Sequence, residues 1–152
     1  MLKFIIGTHR RHDVTLDPRS IDAMNNHLIA LRPFISRADF ARRPRTFAEV
    51  PRWKATEYRM FLRYFGVPLL KLHVRTELFE HFLLFHCSVK ILSNDPFCYE
   101  ENDLAKEMLT GFVESSAVLY GKSFMCYNIH IFPHLAEDVK CNEPLDSFSA
   151  YE

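Results

Sequence analysis

RTELFEHFLLFHCSVKIL, residues 75–92, is the stretch whose reading decides the fold. Apolar side chains at Leu78, Phe82, Phe85, Val89 and Leu92 recur every three or four residues, the spacing that lines one face of an α-helix. Ser93-Asn94-Asp95-Pro96 follows with turn chemistry and closes it. The spacing predicts a helix from about Arg75 to Leu92, the hydrophobic centre of the chain.

The neighbouring segments carry the same period. Upstream, Trp53 through Phe65 presents Trp53, Tyr58, Phe61, Leu62 and Phe65 along one side, and Gly66 with Pro68 is expected to stop that helix. Downstream, Asn102 or Asp103 can cap a helix that faces Leu104, Met108, Leu109, Phe112 and Val113 inward and ends near Gly121. A further helix is expected within YNIHIFPHLAEDVKCNEPLDSFSAYE, residues 127–152. Towards the start, Asp17 precedes Pro18 as an N-cap precedes a first-turn proline, and Ile21, Met24, Leu28 and Leu31 follow at helical spacing until Pro33. RPFISRADFARRPRTFAEVPRW, residues 32–53, is interrupted by Pro33, Pro44 and Pro51 and reads as a broken, charged connector. Residues 1–17 read as a poorly ordered lead-in. The chain has 14 Phe and 6 Tyr but only 4 Gly, a composition that suits packed helices better than a sheet with many tight turns. The fold expected is all-α: an irregular bundle of about four to five helices with a flexible basic N-terminal segment. Residues 1–50 would form a lead-in with one helix and a basic linker, and residues 51–152 a helical domain.

The formal net charge is zero, yet residues 1–63 carry 13 Lys/Arg against 6 Asp/Glu and residues 64–152 carry 6 against 13. Such polarity suits a nucleic-acid-facing first half; it equally suits two halves that neutralise each other. The basic residues Arg42, Arg43, Arg45, Arg52, Lys54, Arg59 and Arg63 are interleaved with Phe40, Phe47 and Trp53, a mixture able to neutralise phosphates while its rings stack or pack. A solvated linker with one basic helix face is the plainer reading. Cys87, Cys98, Cys126 and Cys141 form no CxxC pair, which speaks against a zinc ribbon and for reduced thiols in a nuclear or cytosolic compartment. The apolar run Phe4–Ile6 is too short for a signal peptide or a membrane span, so no membrane partner is expected.

His130 and His134 stand four apart, a spacing that on a helix would aim both imidazoles at one metal, with Asp138 continuing the row. Ile131 occupies the place where a metalloprotease needs glutamate, which excludes that chemistry. A generic zinc site at His130 and His134 stands beside a structural role in which they bond backbone carbonyls or Glu137 and Asp138. His81 and His86 are expected as core-edge residues. No nucleophile elbow, phosphate loop or dinucleotide fingerprint is present.

Three phrases taken in order, PRWKATEYRMFLRYFGVPLLK (51–71), HFLLFHCSVKIL (81–92) and YNIHIFPHLAEDVKCNEPLDSFSAYE (127–152), resemble the carboxy-terminal part of CACTA (En/Spm-like) transposase-derived proteins. The resemblance implies descent from cut-and-paste transposases with a ribonuclease-H-like core, in which three acids hold two Mg²⁺ ions. Glu152 would then stand for the last of those acids, after a helical insertion. The chain departs from the pattern: YE replaces a longer FPFE-like phrase, Glu143 stands before Pro144 where relatives carry glycine, and Pro68 is displaced. One carboxylate cannot hold two cations. The resemblance thus implies a fragment or remnant, without strand transfer or a cofactor of its own, that contacts DNA, a transposase or another protein partner in the nucleus. A small helical protein-interaction domain is the alternative.

Overall fold

The computed structural model describes residues 1–6, 14–34 and 44–148, and among these every regular element is helical. The helices are α1 (Leu2–Ile5), α2 (Pro18–Leu31), α3 (Ala55–Met60), α4 (Gly66–His73), α5 (Thr76–Leu92), α6 (Phe97–Glu100), α7 (Asn102–Tyr120), α8 (Tyr127–His130) and α9 (His134–Cys141). A π-helical segment, Phe61–Phe65, joins α3 to α4, and 3₁₀ turns lie at Arg32–Phe34, Phe47–Arg52, Lys122–Phe124 and Leu145–Phe148. This is the all-helical, irregular, multi-helix fold that the periodicity predicts. No described helix is long and apolar enough to cross a membrane. The chain divides into two compact units, Met1–Phe79 and Glu80–Glu152, with the division inside α5.

In the first unit, α2 begins as expected. The Asp17 carboxylate accepts from the backbone nitrogens of Arg19 (2.9 Å) and Ser20 (3.1 Å), satisfying donors that a helix start leaves open, and Pro18 supplies a preset φ at the first position. Met24 and Leu28 are fully buried. The connector is better ordered at its end than a broken linker would be. Phe47 and Val50 are fully buried, and Phe47 donates its backbone N–H to Asn25 Oδ1 at 2.8 Å, tying the turn to α2. Around Phe47 an aromatic box closes: its ring lies 5.7 Å from Trp53 and meets Phe61 edge-on at 5.9 Å, while Trp53 is 5.4 Å from Tyr58. The polar tips of two of these rings are satisfied by backbone, Trp53 Nε1 donating to Thr46 O at 3.3 Å and Tyr58 Oη to Val50 O at 2.7 Å.

Gly66 and Pro68 do not stop the helix. Pro68 lacks the N–H that would bond Tyr64 O, and its ring would collide with that carbonyl in a regular α-turn. The chain adopts the wider π register just upstream, where Gly66 N–H reaches Phe61 O, and continues helically to His73 with Gly66, Leu69 and Leu70 buried.

In the second unit, Leu92, Cys98, Ala105, Leu109, Ala136 and Val139 form the core, with Phe85, Ile91, Phe132, Leu135 and Leu145 packed against it. Phe85 and Phe132 stack at 4.9 Å with planes only 13° apart. The buried face of α7 includes the predicted Leu109 and Phe112 but otherwise differs: it runs Asn102, Ala105, Leu109, Phe112, Ser116, Tyr120, and Leu104 is 42% exposed. Small residues at Ala105 and Ser116 allow close approach, which a stripe drawn through the bulkiest side chains overlooks. Asn102 does not cap α7. Its amide nitrogen donates inward to Cys98 O (3.0 Å) and Ala136 O (2.9 Å), joining α6, α7 and α9. Asn102→Ala leaves both buried carbonyls short of a donor and is expected to cost about 2 kcal/mol in urea unfolding followed by circular dichroism. α7 ends where predicted, at Gly121, whose φ of 82° favours glycine.

Candidate nucleic-acid interface

Arg42 and Arg43 lie outside the described residues. Arg45 is engaged in a clamp. Its Nε donates to Glu57 Oε1 at 2.8 Å and its Nη2 to Glu57 Oε2 at 2.7 Å, and Nη2 also bonds the Arg52 carbonyl. Glu57 is 2% exposed and, three residues into the start of α3, reaches back to accept the Lys54 backbone N–H at 2.8 Å. The Arg45 guanidinium holds the Glu57 carboxyl below the usual carboxylate range, and the Lys54 amide adds to this against the opposing effect of burial. Arg45 therefore organises the turn from which its neighbours project. Arg52 and Lys54 are exposed at that turn, while Arg59 on α3 and Arg63 in the π segment are half-buried. Arg19, Lys71 and Arg75 are further exposed cations of the same unit. The whole unit carries 15 Lys/Arg against 7 Asp/Glu, whereas the second carries 4 against 12.

The histidine pair predicted on one helical face is split. α8 ends at His130, Ile131–Pro133 form a turn, and α9 begins at His134, because Pro133 can open a helix but not continue one. Both rings are exposed, and His134 Nδ1 lies 3.0 Å from Glu137 Oε2. Glu137 also accepts from Lys106 Nζ at 2.8 Å; that lysine, then His134, hold its carboxyl down at about 2. Glu152 lies outside the described residues. Among the described residues no group of three or more His, Cys, Asp or Glu could hold a metal ion.

Two polar arrangements carry no signal in the sequence. His81, expected at a core edge, is only 3% exposed and stacks on Phe112 at 4.2 Å. A carbonyl can only accept, so Nε2 carries the proton and donates to Phe112 O at 2.9 Å, leaving Nδ1 to accept from Tyr120 Oη at 3.2 Å. Ser116 Oγ donates to the same carbonyl at 2.7 Å. Burial pushes the Tyr120 phenol up and the His81 imidazole down, so the network is a neutral one. The second arrangement is in the first unit, where His27 and His73 meet although 46 residues separate them. Comparison of the chain with protein-family models, with curated proteins and with solved structures finds no match in any of the three.

Proposed function

We propose that the chain is a helical piece of a CACTA-like transposase-derived protein that contacts nucleic acid through its first unit, without strand transfer of its own, in the nucleus. The ordered phrases at 51–71, 81–92 and 127–152 support the origin. The observation that carries the nucleic-acid contact is the segregation of charge, 15 cations against 7 anions in the first unit, with Arg52 and Lys54 exposed at a turn that the Arg45–Glu57 clamp makes rigid. Side chains of this kind bind by neutralising phosphates and releasing counterions, which needs no base sequence.

The test is a salt titration with duplex DNA of arbitrary sequence. Affinity is expected to fall steeply from 50 to 200 mM salt. Replacing Arg52, Lys54, Arg59 and Arg63 together by glutamine should lower it at least about tenfold and flatten the log–log slope by up to about 3.6, since each phosphate contact contributes about 0.9. An unchanged slope in that variant removes the proposed contact. Absence of DNA binding by the unaltered chain favours a helical protein-interaction domain instead.

A further inference from the structure

Where α2 lies against α4, Nδ1 of His27 and Nε2 of His73 stand 2.9 Å apart, with ring centroids 5.0 Å apart and planes inclined at 46°. Both helices are fixed independently of the two rings, α2 by its Asp17 cap and buried Met24 and Leu28, α4 by buried Leu69 and Leu70. We propose that this pair is a binding site for one divalent late-transition-metal ion, such as zinc, held between the two imidazole nitrogens with water completing its coordination.

Imidazole binds zinc at about 2.0–2.1 Å, so two nitrogens on one ion stand about 2.9 Å apart at a right angle and about 3.4 Å apart at the tetrahedral angle. The observed separation already meets the first value, and an opening of about 0.5 Å reaches the second. At present one ring donates its N–H to the other. Metal entry requires that this proton move to the far nitrogen of the same ring and that the rings turn so that both lone pairs converge on an ion beside the N···N line; no net proton leaves. His27 is exposed, giving an entry path and room for water ligands. His73 is the last residue of the eight-residue α4, where the partial negative charge of the terminal carbonyls favours a cation. Imidazole nitrogen suits zinc, copper and nickel and not magnesium, which separates this site from the carboxylate chemistry implied by the family resemblance. It does not depend on the nucleic-acid reading.

The experiment is a calorimetric titration of the whole chain with zinc chloride at pH 7.5, repeated for His27→Gln, for His73→Gln and for His130→Gln combined with His134→Gln. One site is expected in the unaltered chain. It should weaken at least tenfold in each of the first two variants and persist in the third. Zinc should raise the thermal midpoint of the unaltered chain and not that of His27→Gln, because an ion bridging two helices binds the folded state alone. The imidazole nuclear magnetic resonances of His27 and His73 should shift together, a readout that stands even if His73→Gln folds poorly. An undiminished site in His27→Gln, or zinc that leaves both sets of resonances in place, overturns the proposal.

Discussion

Glu57→Gln is expected to lower the unfolding free energy of the first unit by about 3 kcal/mol, the low end of what removing one partner of a buried ion pair costs. The reason lies in the geometry. Glu57 is 2% exposed and accepts from Arg45 Nε, Arg45 Nη2 and the Lys54 backbone N–H, so an uncharged amide there leaves the guanidinium without its counter-charge. Arg45 keeps 31% of its side-chain exposure, and water offsets part of that loss. Trp53 is the one tryptophan of the chain and sits 7% exposed in the adjoining aromatic box, so urea unfolding followed by its fluorescence reads the transition directly. The pH dependence has a definite sign. The folded pKa of Glu57 lies below its ordinary 4.5, so its contribution is fully present above that value and is lost as pH falls through the lower folded value. Glu57→Gln should flatten that acid limb. A variant as stable as the parent at pH 7 removes the clamp from the account of the fold.

Phe112→Ala should destabilise the second unit by about 4 kcal/mol, within the range for emptying a buried phenylalanine site. The ring is 2% exposed, stacks on His81 at 4.2 Å and on Phe85 at 5.1 Å, and lies 5.9 Å from Phe132. Its loss opens a cavity beside a buried histidine and lets water reach the neutral network. Phe112→Leu keeps much of the volume and should cost about half as much. Circular dichroism in urea gives the magnitudes, and amide exchange at Ser116 and Tyr120 assigns them to this unit. Burial holds the folded His81 pKa below its ordinary 6.5, with the Phe112 carbonyl opposing. The unfolded chain therefore takes up the proton first, and stability is full above that value and erodes as pH falls below it. Destabilising acid effects beginning near pH 6 and absent in His81→Leu identify this ring as the source.

Local chemistry was legible in the sequence at two helix ends, though not at Gly66 and Pro68, where the helix continues. Asp17-Pro18 marks the start of α2 because both cap and first-turn proline operate within one helical turn, and Gly121 marks the end of α7 for the same reason. The helix at 76–92 follows from its stripe. What escaped was set by packing between segments distant in the chain. Ala105 and Ser116 face inward on α7 because other residues approach there, and Asn102 turns away from capping towards Ala136, 34 positions later. The broken row of His130 and His134 was signalled by Pro133, which local rules read as a helix start, whereas a fixed spacing of four presumed one continuous helix. Arg45 belongs by composition to a phosphate-binding set, yet its partner Glu57 lies 12 residues on, and only the fold assigns it to the scaffold.

The five-residue wide turn at Phe61–Phe65 fixes a phase as well as a path. Removing a single residue within it would turn α4 by about 100° about its axis and return the Pro68 ring to its collision with the preceding turn. Leu69 and Leu70, both sealed inside, would rotate off their positions while nothing in the sequence of α4 itself had altered. The angular setting of α4, and with it the direction in which His73 faces, is thus encoded by the length of the preceding segment.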